Sequence, residues 1–132
     1  DNNCFVSLAI TLSASEVGLL ERVSLLQEQG LKIVNLGWLS HADVLFEYKN
    51  NGALIFSSIR ESFGLPLVEA SVLKIPILAS EMDYVRDLVN PTETFDPNSE
   101  LSISRAVKRF LSIGEGQQKI FSPADLLKKI SQ

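Results

Sequence analysis

Short apolar runs alternate with helical patterns along the whole chain, and this alternation limits the fold more than any other feature of the sequence. Residues 5–12 (Phe5-Val6-Ser7-Leu8-Ala9-Ile10-Thr11-Leu12) are β-rich and read as a strand. Ser15 stands where a helix cap belongs. Leu19, Leu20, Val23 and Leu26 then recur at helical spacing to about Gln29, and Gly30 stops the helix. Residues 32–36 form the second strand, ended by Gly37, and residues 41–49 a short helix with Val44, Leu45 and Tyr48 on one face. After the turn signal Asn50-Asn51-Gly52 comes Ala53-Leu54-Ile55-Phe56-Ser57, apolar throughout, as a strand covered on both faces would be. A helix over residues 66–73 has Pro66 in its first turn, and Ile75-Pro76-Ile77-Leu78-Ala79 is the next strand, with its proline near the start. A short helix over 83–89, a short strand over 93–95 closed by Asp96-Pro97, and a helix from the Ser99 cap to about Leu111 follow. Gly114-Glu115-Gly116 reads as a linker, and Pro123 opens a last helix to about Ile130.

Strand–helix alternation of this kind predicts an α/β fold, a parallel sheet flanked by helices on both faces. Ligands of such sheets bind beyond the carboxyl ends of the strands. The loops at 12–15, 37–40, 57–65, 80–83 and 96–99 should therefore share one edge and build any site. A length of 132 residues suits one domain. The division expected is a Rossmann-like domain over 1–113 and a helical extension over 114–132. The first residue, Asp1, is the start expected of a piece of a longer chain.

Composition narrows the chemistry. A single cysteine, Cys4, leaves no intrachain disulfide and no Cys-based zinc site, and a single histidine, His41, removes most Ser-His-Asp and metal chemistry. Cys4 reads as a small buried hydrophobe, and His41, after Ser40, as a capping or solvent-facing residue. The net charge of −4 argues against nucleic acid as a partner. Charge is uneven: residues 1–100 hold six basic and fourteen acidic side chains, and residues 101–132 six basic and two acidic. The basic end, with Lys119, Lys128 and Lys129, is either a solvated helix face or a peripheral contact with an anionic membrane surface.

The stretch richest in chemistry is Glu61-Ser62-Phe63-Gly64-Leu65-Pro66-Leu67-Val68-Glu69-Ala70. It follows a buried strand and opens a helix. Pro66 in the first turn puts Gly64 and Leu65 at the amino end, where free N–H groups and the helix dipole favour an anion such as phosphate. Gly64 allows close backbone approach. In an unbroken helix Glu61 and Glu69 would stand about 80° apart, but the loop lets both face one cleft. Two carboxylates suit the vicinal hydroxyls of a sugar or ribose. The alternative is structural: Glu61 caps the helix and Glu69 is a solvated helix residue. Arg60 faces solvent or assists the phosphates, Trp38 is a pocket wall or core edge or stacks on a base, and Asp83 and Arg86 pair with one another or border the cleft.

Residues 57–70, Ser57-Ser58-Ile59-Arg60 followed by the segment above, resemble the E-x7-E segment of the group 1 (family 4) retaining glycosyltransferases, two-domain GT-B enzymes that transfer a sugar from a nucleotide donor. Neighbouring segments resemble the family in order. Val34-Asn35-Leu36-Gly37-Trp38-Leu39 is similar to the strand and loop beside the base, and residues 53–58 to the strand before the motif, with Ser57 at a common proline position. Ile75-Pro76-Ile77-Leu78-Ala79-Ser80 is similar to the next strand, and Phe95-Asp96-Pro97 to a late turn. The resemblance covers roughly residues 5–111. It implies that Glu61 contacts the donor sugar hydroxyls near the reacting carbon. It also implies that the backbone of Phe63, Gly64 and Leu65 holds sugar and diphosphate, that Glu69 bonds the ribose, and that Gly37, Trp38 and Leu39 line the base pocket. Departure of the diphosphate would be assisted by helix dipoles and basic side chains, with no cofactor and no metal required.

Two departures from the family pattern carry expectations. The strand that opens the family's carboxy-terminal domain, with its Arg…Lys phosphate clamp, has no counterpart here, and residues 5–12 resemble the second strand. In the order 3-2-1-4-5-6 the absent strand is central, so the strands at 5–12 and 53–57 should each keep an unpaired edge. The amino-terminal, acceptor-binding domain is likewise missing from the chain. The resemblance thus implies a cytoplasmic donor-binding half, peripheral to the inner membrane face if the basic end docks there. It would serve polysaccharide or lipopolysaccharide assembly and be inactive alone. The alternative is a non-catalytic nucleotide-binding or interaction module.

Overall fold

A computed structural model of the chain describes residues 6–114. It has two compact units, Asp1–Glu47 and Tyr48–Gln132. Expectations for Cys4, for residues 115–116 and for the helix after Pro123 fall outside the described residues.

In the first unit β1 (Leu8–Ile10) and β2 (Ile33–Asn35) pair in parallel, with Leu8 opposite Ile33 and Ile10 opposite Asn35. Between them α1 (Val17–Glu28) packs on β2 through a half-buried stripe of Leu20, Val23 and Leu26. Its N-cap is Glu16, not Ser15. The Glu16 carboxylate accepts the Ser13 N–H at 3.0 Å, and the Ser15 hydroxyl is engaged with that of Ser13 instead. Gly30 ends the helix as its spacing predicts. At φ 94° it donates to the Gln27 carbonyl while Leu31 donates to that of Leu26, the paired bonds of a Schellman stop. Helix α2 (His41–Asn50) starts at Ser40, whose hydroxyl accepts the Asp43 N–H.

In the second unit β3 (Leu54–Phe56), β4 (Ile77–Ser80) and β5 (Glu93–Phe95) form a parallel ladder in that order. β4 is central and buried at all four residues. Its alternation divides the core. Ile77 and Ala79 face Leu67 and Ala70 of α3 (Leu65–Val72) and Val85 of α4 (Asp83–Leu88). Leu78 faces the other way, onto Phe95 and Ala106 of α5 (Glu100–Gly114), with Ile103, Val107 and Phe110 at helical spacing around them. Each fully buried leucine contributes ~1.5–3 kcal/mol over exposure. Ser99 caps α5 as predicted, accepting the Ser102 N–H, but the helix runs to Gly114, so Gly114 is its last turn and not a linker.

The parallel α/β architecture matches the sequence reading. Among the described residues β1, β2, β3 and β5 each have a ladder partner on one side only; β1 and β3 are the two of these at which the order 3-2-1-4-5-6 places the missing neighbour. Expected strands shorten at their ends: β4 begins at Ile77 because Pro76 has no N–H to donate, although its carbonyl still accepts from Leu54.

Candidate functional site

Parallel pairing puts the loops after β3, β4 and β5 on one edge of the second unit, and those after β1 and β2 on one edge of the first. The expected site residues divide between them. Gly37, Trp38 and Leu39 lie in the first unit. Glu61, Phe63, Gly64, Leu65 and Glu69 form one strand–turn–helix segment in the second.

The turn is built around Gly64. It is buried, sits in the left-handed region at φ 60°, ψ 36°, and is the N-cap of α3. A Cβ there would lie 2.6 Å from Leu88 Cδ1. The glycine is thus set by backbone conformation and by the approach of α4, besides any closeness to a ligand. No side chain caps α3, which removes the reading of Glu61 as a helix cap. Leu67 and Val68 both donate back to the Gly64 carbonyl, and Pro66 has no N–H. The N–H groups of Phe63, Gly64 and Leu65 have no acceptor among the described residues. With Pro66 lacking an N–H and Leu67 and Val68 bonded to Gly64, the unbonded donors at the amino end of α3 stop at Leu65. Phe63 and Leu65 carry exposed side chains, and Glu61 and Arg60 are exposed beside them.

Glu69 is half-buried one turn inside α3, between the buried Leu67 and Ala70. Tyr48, half-buried at the end of α2, lies within its electrostatic reach. Burial first, and then the Glu69 carboxylate, push the Tyr48 phenol above its ordinary value of 10.0, so it stays a proton donor. In the sequence Tyr48 reads only as part of a helix face. Periodicity cannot show which carboxylate a tyrosine meets across an element.

In the first unit Gly37 has φ 67° and nothing within 4 Å of where its Cβ would stand, so its outer face is open. Asn35 holds this loop. Its Oδ1 accepts the N–H groups of Leu12 at 2.9 Å and Gly37 at 3.1 Å, and its Nδ2 donates to the Leu12 carbonyl at 3.1 Å. One side chain so ties the carboxyl ends of β1 and β2. Trp38 is 86% exposed, which corrects the core-edge reading; it stands three residues beyond the end of β2, just after the open turn at Gly37.

The expected Asp83–Arg86 pair is also corrected. Arg86 donates from Nε and Nη2 to both carboxylate oxygens of Glu81, at 2.9 and 2.7 Å. Glu81 stands just before α4, where a two-toothed contact with the last turn is possible. Arg86 first, then the Thr94 hydroxyl, hold the Glu81 carboxyl down at about 2. Among the described residues no three His, Cys, Asp or Glu side chains gather at metal-ligand spacing, and no helix is long and apolar enough to cross a membrane.

A strand, a left-handed glycine turn and a proline-started helix carrying the second of two glutamates are here one continuous piece of backbone. The sequence profile of the glycosyl transferases group 1 matches residues 18–124, which includes that piece. The chain belongs to this family. Among curated proteins, sequences named serotype-specific mannosyltransferase WbdA, from Escherichia coli, are 32% identical to it over 69 residues. That alignment covers 52% of this chain and 8% of theirs, so the chain spans a small part of the relatives it matches. No solved structure matches at a significant level.

Proposed function

We propose that the chain is the donor-binding part of a retaining glycosyltransferase of polysaccharide biosynthesis, and that it binds a nucleotide-sugar, with a mannose donor the first to test. The observation that carries this reading is the Gly64 turn, where the backbone N–H groups of Phe63, Gly64 and Leu65 have no acceptor among the described residues, between two glutamates of family spacing. In this reading those N–H groups meet the diphosphate and nearby sugar oxygens. Glu61, on the exposed loop, accepts from donor sugar hydroxyls, and Glu69, fixed on a packed helix beside Tyr48, accepts from the ribose. Separating the roles answers the repulsion between carboxylates and phosphate: each acid meets hydroxyls, and only N–H groups meet the anion. Gly37, Trp38 and Leu39 bound the base, with the open face of Gly37 allowing its approach. The donor is substrate, and no cofactor or metal is part of the proposal. The acceptor is held by residues outside the donor part, so the 132-residue chain binds without transferring. Residues 1–113 make up the donor part, and the basic segment 101–132 is either a solvated face or a peripheral contact with an anionic membrane surface.

The test is titration of the chain with GDP and with GDP-mannose, alongside UDP and UDP-glucose. Glu61→Ala should weaken a sugar conjugate about tenfold and leave the bare nucleotide unchanged. Equal weakening of both would contradict the assignment of Glu61 to the sugar. Single-turnover transfer of mannose by the chain alone would contradict the binding-only reading.

A further inference from the structure

The loop that carries Glu61 has little backbone support of its own. Residues 58–63 make no backbone–backbone hydrogen bond among the described residues. One hydroxyl from the neighbouring segment holds its start, and a second lies near the end of the strand before it. Ser80, fully buried on β4, lies with its Oγ 3.5 Å from the Phe56 carbonyl, at the end of β3. Tyr84, in the first turn of α4, donates its phenolic proton to the Ser58 carbonyl at 2.7 Å. The Ser58 hydroxyl donates in turn to the Arg60 carbonyl at 2.9 Å, closing a turn that ends at the peptide bond of Glu61. Tyr84 is well placed for this. It is half-buried and packs against the core cluster of Leu67, Ala70, Ile77 and Val85, which seats the ring.

We infer that Tyr84 is a positioning residue, whose hydrogen bond to the Ser58 carbonyl sets where Glu61 meets the donor sugar. The inference rests on the donor-site reading above for what Glu61 binds, and on geometry alone for the anchoring of the loop. The 2.7 Å contact lies three residues before Glu61, and a second hydroxyl bridges part of that interval. Loss of the phenolic O–H frees the Ser58 carbonyl without removing the ring from the core. Glu61 then samples a wider range of positions, whereas Glu69, held by α3, does not.

Tyr84→Phe separates the two layers of the claim. Backbone ¹⁵N order parameters of residues 59–62 should fall in Tyr84→Phe while those of β4 stay as they are. Unchanged order in the loop would overturn the anchoring role whatever the chain binds. In titrations, Tyr84→Phe should weaken GDP-mannose or UDP-glucose about three- to tenfold and leave GDP or UDP unchanged. Equal weakening of conjugate and bare nucleotide, or none, would overturn the positioning role. A wild-type chain that ignores all four ligands would remove the donor-site reading and with it the role toward sugar, and the loop measurement would then decide the anchor by itself.

Discussion

At the scale of single residues, Gly64 carries the sharpest prediction. Two effects act against any other residue there: the left-handed backbone, which costs an L-residue roughly 1–2 kcal/mol, and the 2.6 Å approach of Leu88 Cδ1. Leu88 is 42% exposed and the atom is the far end of a rotatable side chain, so it can move aside. Conformation therefore dominates. Gly64→Ala should lose about 1–2 kcal/mol in urea denaturation, and adding Leu88→Ala should recover little of it; near-complete recovery would mean that the clash was the main term. That a glycine was needed was legible from the strand–glycine–proline order. That Leu88 packs on it was not, because a contact across 24 positions leaves no local pattern. Asn35 shows the same limit. Its three bonds make it the clamp of the Gly37 loop, yet an asparagine at a strand end reads as an ordinary turn signal.

At the scale of elements, the strands and helices of the described part follow from periodicity alone, and their ends are decided by caps. Ser99 caps as the sequence suggests, Ser40 caps α2 without having been singled out, and Ser15 does not cap, since Glu16 reaches back to Ser13 and takes the N-cap position. The four-residue strand β4 was readable as an apolar run with a proline near its start, Ile75-Pro76-Ile77-Leu78-Ala79. The partner of Arg86 was not, because two acids, Glu81 and Asp83, stand within reach in sequence and only the helix start decides between them. The Glu81–Arg86 pair, which joins the end of β4 to α4, carries a pH prediction. Its carboxyl is held at about 2, below its ordinary 4.5, so its stabilising effect is complete above about pH 4.5 and disappears as pH falls toward 2. Both side chains are about half exposed, so the effect is small and screened by salt. Urea midpoints followed from pH 5 to pH 2 should fall less steeply in Arg86→Ala than in the wild type at low salt, and the difference should shrink at high salt. Identical pH profiles would show that the pair adds nothing to folding.

At the scale of the whole molecule, the two edges of the β3–β4–β5 ladder differ in a way that fits the fold reading. β5 is a guarded edge: Glu93 is paired with Arg109 of α5 at 2.8 Å, and the same guanidinium reaches the Thr94 carbonyl. β3 has no charged residue over Leu54-Ile55-Phe56, the composition of a strand meant to have neighbours on both sides. Among the described residues the first unit has no buried side chain, and the closed core lies in the second unit, which also carries both glutamates. Family membership and parallel α/β architecture were legible because ordered motifs and strand–helix alternation survive in sequence. Tyr48 beside Glu69 and Tyr84 beneath the Glu61 loop were not, because both act across elements.

The central claim is that the Gly64 turn and its two glutamates bind a nucleotide-sugar, and isothermal titration of the wild-type chain and Glu69→Ala with GDP-mannose and UDP-glucose tests it most directly. The account predicts saturable one-to-one binding of one of them by the wild type and its loss, tenfold or more, in a Glu69→Ala variant that keeps the wild-type urea midpoint. Binding of equal strength in the two proteins, or a folded wild type that binds neither donor, would contradict it.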